Sequence, residues 1–203
     1  MSFAGLPTKN FSVIYADPPW HFKTFNAKGR ARSPDWKPFK GSPSVHYDTM
    51  SAEAIRTLPV AEYAADDSCL FLWICWPLLA EALELIDAWG FTYKTCAFSW
   101  TKANASQVEM FRNDNDVQMG MGYWTRSNSE VCLLATRGKP KRLDAGVRQA
   151  IIEPRRQHSR KPDCVYGRIE RLIGGPYLEM FARNTRPGWS SFGNQVGKFA
   201  EVA

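Results

Sequence analysis

No apolar run in the chain approaches the roughly 20 residues that a membrane span requires. The longest, Cys69 to Ala80, has the length of a buried strand running into a helix. The opening MSFAGLPTKN lacks the apolar centre of a signal peptide, so a cytoplasmic location is expected. The five cysteines (Cys69, Cys75, Cys96, Cys132, Cys164) contain no C-x-x-C pair. Four of them lie in apolar, strand-like runs and read as buried free thiols. His21, His46 and His158 stand far from any cysteine spacing that would hold a metal, and no metal site is expected. There is no internal repeat and no interdomain linker, and 203 residues suit one domain over residues 1–203.

What is present is an ordinary core composition, 44% hydrophobic and 23% charged, with an uneven distribution of a +6 net charge. Residues 23–40 hold six Lys/Arg against one Asp, and residues 137–161 hold nine against one Asp and one Glu. The remainder of the chain is therefore net acidic. Two basic, Pro- and Gly-containing segments on an acidic body predict loops that meet a polyanion.

Ser12–Ala16 reads as a buried strand that stops at Asp17-Pro18-Pro19-Trp20, since two prolines cannot continue a central ladder. Residues 21–46 form a long polar insertion, and a helix capped by Ser51 follows. Cys69–Cys75 has the near-continuous apolarity of a central strand. Pro77 opens a helix with Leu79, Leu83, Ile86 and Trp89 at helical spacing, ended by Gly90. Strands are expected at Tyr93–Trp100, Val131–Thr136 and Tyr177–Phe181, and a helix at Cys164–Ile173. Residues 103–129 read as a second irregular insertion, and residues 137–161 as a basic loop segment. Alternating strands and helices predict an α/β fold, a mostly parallel central sheet with helices on both faces. Ligands in such sheets bind beyond the carboxyl ends of the strands, where Asp17, Trp100–Lys102 and Phe181–Arg183 fall.

Asp17-Pro18-Pro19-Trp20 carries the sharpest chemical signal. An exocyclic aromatic amine is a poor nucleophile because its lone pair is delocalised into the ring. Two acceptors that take its two N–H bonds, the Asp17 carboxylate and the Pro18 carbonyl, draw the nitrogen toward a tetrahedral state. Its lone pair then faces an incoming methyl sulfonium. Pro18 and Pro19 stiffen the turn that fixes these acceptors. Trp20 is expected to stack on a base drawn out of its helix.

These four residues resemble the signature of the MT-A70-like N6-adenine methyltransferases. The resemblance continues in order through Tyr47-Asp-Thr-Met-Ser51, Leu70-Phe-Leu-Trp73, Trp100-Thr-Lys102, Glu130, Lys161-Pro-Asp163, Tyr166-Gly167, Ile169-Glu-Arg-Leu172, Leu178–Arg183 and Gly193-Asn-Gln195. It implies a permuted Rossmann-like class I S-adenosylmethionine-dependent methyltransferase fold, with the catalytic strand first and the cofactor strand near the C-terminus. It also implies that Asp17 and Pro18, with Pro19 and Trp20, serve the target amine. Lys161 would meet the carboxylate of the cofactor, S-adenosylmethionine. Glu179, Phe181 and Arg183 would lie near its ribose, and Asn194 and Gln195 near ribose and adenine. Asp17 also borders the cofactor. Ala182 stands where the eukaryotic branch often has glycine, and Thr185-Arg186 where it has a His-Asn pair. Arg183 with Arg186-Pro-Gly-Trp189 resembles the bacterial and phage branch, whose usual substrate is DNA.

On the substrate side, Tyr47 is a candidate wall of the base pocket, and Trp100 and Lys102, at a strand end, are candidate substrate contacts. Arg126 and Asn128 are candidate nucleic-acid contacts, with Glu130 a structural acceptor. Arg30, Arg32, Arg155 and Arg156 are candidate phosphate contacts in the two basic segments. The expected activity is N6-adenine methylation of DNA by a monomer or homodimer. Competing readings are an RNA adenine methyltransferase, a non-catalytic nucleic-acid-binding subunit and a cytosine-N4 enzyme. The intact Asp-Pro-Pro-Trp and Lys161 count against the second, and Asp rather than Ser at position 17 against the third.

Overall fold

A computed structural model describes residues 3–21, 49–104, 116–118, 120, 124–157 and 159–197. Among the described residues, seven strands form a single sheet: β1 (Phe11–Ala16), β2 (Ala64–Ile74), β3 (Thr92–Ala103), β4 (Ser129–Arg137), β5 (Ala150–Pro154), β6 (Tyr177–Met180) and β7 (Trp189–Phe192). Their order is β5-β3-β4-β2-β1-β6-β7. Four of the six pairings are parallel, and β4 runs antiparallel to both of its neighbours, β2 and β3. The sheet is thus mixed.

The alternation along β1 divides two cores. Ile14 and Ala16 point to one face, with Leu70, Leu72, Leu133 and Met180 beneath α1 (Ala52–Arg56) and α3 (Leu79–Ala88). Val13 and Tyr15 point to the other, with Phe71, Trp73, Phe98 and Ile151 beneath α4 (Cys164–Leu172). A stretch whose successive side chains are both buried must be apolar throughout, which is why Val13–Ala16 of β1 and Cys69–Ile74 of β2 read as continuous hydrophobic runs.

The cap and stop signals act as the sequence predicts, while the start and the buried face of α3 are shifted. Ser51 Oγ accepts from the Ala54 N–H at the start of α1. Trp76–Leu78 forms a 3-10 turn ahead of α3, so Pro77 precedes the helix proper. Ala82, Leu85, Ile86 and Trp89 bury its inner face, while Leu79 and Leu83 are half-buried; the buried stripe is rotated from the predicted one. Gly90, at φ +78°, turns the chain out of α3 into β3. A one-turn helix, α2 (Val60–Tyr63), leads into β2.

One expectation is corrected. Residues 137–161 are not a continuous loop, because Ala150–Pro154 pairs in parallel with Ser99–Ala103 as the edge strand β5. An edge strand needs only one buried side chain to anchor it, here Ile151, so its hydrophobic pattern is faint. No helix among the described residues is long and apolar enough to cross a membrane.

Candidate active site

The topology gathers the candidate residues. All strands except β4 run in one direction, so the carboxyl ends of β1, β3, β5, β6 and β7 share one edge of the sheet with the start of β4. Asp17, Lys102, Glu130, Arg155, Phe181 and Gly193 therefore lie along that edge. Asp17 is central, between a β6–β7 half and a β4–β3–β5 half.

The Asp17-Pro18-Pro19-Trp20 turn is held from several sides. Met50 donates its N–H to the Pro19 carbonyl at 2.8 Å, and His21 donates to the Met50 carbonyl at 3.0 Å. The Pro18 carbonyl accepts from the Trp20 N–H at 2.8 Å and retains a second lone pair for another donor. Trp20 itself is only 4% exposed, and its indole N–H donates to the Trp73 carbonyl at 3.1 Å. The ring is packed in the core and anchors the turn to β2.

Asp17 ends a chain of alternating charges. Lys161 Nζ donates to Asp17 Oδ1 at 2.7 Å and lies 3.2 Å from Glu130 Oε2, and Lys102 Nζ pairs with Glu130 Oε1 at 2.5 Å. β2 separates β1 from β4, and Lys161 bridges this gap across the Trp73 ring, 5.4 Å from its centroid. The Trp73 indole N–H donates to the Tyr15 hydroxyl at 2.8 Å. Burial pushes the Glu130 carboxyl up, but the Lys161 and Lys102 ammonium groups outweigh it and hold the value down at about 2. Burial lowers Lys161, and the Asp17 and Glu130 charges reverse this, raising it above the usual lysine value. Lys161, 13% exposed, thus stays charged across the ordinary pH range.

A cleft of about 220 Å³ opens on the β6 side of Asp17. Its lining includes Asp17, Lys161, Tyr166, Glu179, Phe181 and Arg183. Tyr166, from the first turn of α4, donates its hydroxyl to Glu179 Oε1 at 2.9 Å. Burial raises the Glu179 carboxyl to about 7, with the Asp17 charge adding to the effect and the Tyr166 hydrogen bond and Arg186 opposing it. Arg186 lies over the Tyr166 ring, 4.5 Å from its centroid. Phe181 takes φ +62°, a conformation that bulky side chains adopt only when their surroundings impose it. That turn lets Ala182 donate its N–H to the Phe192 carbonyl at 2.9 Å, tying the end of β6 to the end of β7. Gly193 is required there, since the Ala182 backbone occupies the space of a Cβ. Asn194 and Gln195 follow it at the same edge, outside the residues that line the cleft.

On the other half of the edge lies Trp100, expected as a substrate contact. It is 3% exposed, and its indole N–H donates to the Glu153 carbonyl at 2.9 Å, which fastens β5 to β3. Lys102 serves the charge chain. Arg126 is exposed, and the Asn128 carbonyl accepts from the Lys102 N–H at 3.0 Å. Arg156 pairs with Asp163 at 2.5 Å, while Arg155 is exposed. Tyr47, Arg30 and Arg32 lie outside the described residues.

Tyr15, Arg160, Asp163 and Tyr166 were not predicted as site residues, although the structure places them beside the cleft. Tyr166 carried a legible signal, a tyrosine one helical turn beyond Lys161-Pro162-Asp163. Tyr15 carried none, as a core tyrosine in a strand looks like any other.

Comparison with known proteins follows the same stretch of chain. The MT-A70 family profile matches residues 11–195. The type II methyltransferase M.MunI of Mycoplasma sp is 34% identical over 96% of this chain and 81% of its own length. The N(6)-adenosine-methyltransferase catalytic subunit METTL3 of Homo sapiens is 30% identical over 92% of this chain. The MT-A70-like N(6)-adenosine-methyltransferase of Drosophila melanogaster is also 30% identical over 92%. The chain spans about four-fifths of the Mycoplasma protein but under a third of the length of these two.

Proposed function

The chain belongs to the MT-A70 family, and from that premise we propose that it methylates the N6 amine of adenine in DNA with S-adenosylmethionine as donor. The observation that carries this reading is the central position of Asp17 and Pro18 on the sheet edge. Asp17 borders the cleft on one side and is fixed by the charge chain on the other.

The cleft fits the donor by chemistry. Cationic Lys161 and Arg183, acidic Asp17 and Glu179, and the aromatic Phe181 match a molecule with a carboxylate, a cationic centre, ribose hydroxyls and a purine. Lys161 would hold the carboxylate with the donor capacity left beyond Asp17 and Glu130. Glu179 and Arg183 would hold the ribose, with Asn194 and Gln195 toward ribose and adenine. When bound, S-adenosylmethionine supplies an electrophilic methyl group on a sulfonium. The Asp17 carboxylate and the Pro18 carbonyl accept the two N–H bonds of the target amine and orient its lone pair. Trp20, Trp73 and Met50 keep those two acceptors in place. The order of strands, with β1 central and β6–β7 last, supports reading the fold as a permuted class I methyltransferase domain over the whole chain.

DNA is preferred over RNA because M.MunI, a type II methyltransferase, is matched over most of both chains. The test is incubation with labelled donor and duplex DNA, single-stranded DNA and RNA. The expected result is label at adenine N6 of DNA. Label in RNA alone rejects the DNA assignment, and label in neither rejects the reading.

A further inference from the structure

Trp124 stands apart from the other described tryptophans. It is 101% exposed, so its ring has no cover from the fold, and its backbone takes φ +68°. A bulky residue in the left-handed region is strained, and an indole wholly in water forgoes the burial that stabilises the core tryptophans. Neither feature serves the folded state of this chain.

The stem beneath Trp124 is, by contrast, well fastened. Gly120 donates its N–H to the Ser127 carbonyl at 2.9 Å, and that carbonyl lies where a Cβ on Gly120 would sit. Below this closure, Gln118 donates its N–H to the Lys102 carbonyl at 2.7 Å, and Lys102 donates to Asn128 at 3.0 Å. Val117 bridges Ala103 from the other side. The loop is thus rooted on both flanks of Lys102, a member of the charge chain that reaches Asp17. Arg126, exposed two residues on, brings a cation to the same loop. Among the described residues, a hydrogen-bonded stem thus carries an exposed indole and a cation at the edge that holds Asp17.

We propose that Trp124 is the wedge that inserts into the base stack of duplex DNA and occupies the gap left when the target adenine leaves it. Adenine N6 in a duplex is engaged in base pairing and out of reach of Asp17, so the base must be extruded, at the loss of its stacking. A flat aromatic surface replaces that stacking with any neighbouring base, and Arg126 beside it engages the flanking phosphate. Trp20 and Trp100 are both buried and present no comparable surface. The inference rests on the DNA reading of the active site.

The test uses the full chain and a duplex carrying a methylated site mapped by sequencing. The same duplex with an abasic site opposite the target adenine serves as a substrate whose base is already loosened. Trp124→Ala is expected to lower kcat/KM about tenfold on the perfect duplex, the order of one lost aromatic–base stack. It should change kcat/KM less than about twofold on the abasic duplex, and Trp124→Phe should restore most of the loss. An equal loss on both duplexes, or none on the perfect one, overturns the wedge. A fall in sedimentation coefficient for Trp124→Ala would assign the ring to contact with a second copy and also overturn it. Failure of the wild type on every DNA would instead reject the function on which the inference rests.

Discussion

Lys161 Nζ donates to Asp17 Oδ1 at 2.7 Å, which joins the residue assigned to the target amine to the residue assigned to the cofactor carboxylate. The two therefore act as one electrostatic unit. Asp17→Ala is expected to lower kcat by about 100-fold or more, since one preorganised acceptor at a reacting centre is lost. Lys161→Ala should weaken donor binding and also disturb Asp17. The double variant should then lose less than the two single losses combined, with a coupling of about 1–3 kcal/mol in a kcat/KM cycle. Additive losses would show that the pair is incidental to catalysis.

Glu130 compensates both Lys102 and Lys161. Its carboxyl is held at about 2, below its ordinary 4.5, so its contribution to stability is present above about pH 4.5. That contribution is lost as the pH falls toward 2. Glu130→Gln should destabilise the protein by about 1–3 kcal/mol at pH 7, less than a fully buried broken pair because the site is partly solvated. The variant should also show a flatter stability profile between pH 4.5 and 2. Urea titrations of both proteins at pH 7 and pH 3 measure this.

Much of this edge is legible in the sequence, because its components are local. Asp17-Pro18-Pro19 marks the end of β1, Gly90 the end of α3, and the apolar run of β2 its central position. What escapes is set by tertiary context. That the indole N–H groups of Trp20 and Trp100 donate to the Trp73 and Glu153 carbonyls is visible only in the fold. β5 hides in a basic stretch because an edge strand buries little. The Lys102–Glu130–Lys161–Asp17 chain joins three strands and the approach to α4, a juxtaposition that no sequence spacing encodes.

Glu179 is expected to give the proposed donor site a pH dependence near neutrality. Its carboxyl is raised to about 7 by burial, and ribose hydroxyls hydrogen-bond more strongly to the ionised form. Donor affinity should therefore rise about tenfold between pH 6 and pH 8 as this group ionises. Glu179→Gln should bind more weakly at pH 8 and show a smaller change over the same range. Calorimetric titration of both proteins at the two pH values decides the matter, and parallel profiles would remove Glu179 from the donor site.

Gly193 tests the junction between β6 and β7. A Cβ there meets the Ala182 backbone, which is fixed by Phe181 in its left-handed turn. Gly193→Ala should cost about 1–3 kcal/mol of stability, in the range of backbone strain at such sites. It should also weaken the donor through displacement of Phe181 and Arg183. Unchanged donor affinity with reduced stability would confine Gly193 to a structural role.

The basic residues on the β5 half separate into two kinds. Arg156 is committed to Asp163 and lies 4.0 Å from Glu153, so reversing its charge would disturb the approach to α4. Arg126 and Arg155 are exposed beside the carboxyl end of β3 and β5, on the edge that holds Asp17. Each phosphate contact on duplex DNA contributes about 0.9 to the slope of log affinity against log salt. Arg126→Gln with Arg155→Gln should therefore flatten that slope by about 2 and weaken binding similarly for all sequences. Donor affinity should be unchanged, because neither residue lines the cleft. The same contacts would serve RNA, so the salt series is paired with kcat/KM on matched DNA and RNA oligonucleotides. The expected ratio favours DNA. An unchanged slope removes these arginines from the interface, and a ratio favouring RNA moves the substrate while leaving the adenine chemistry of Asp17 and Pro18 in place.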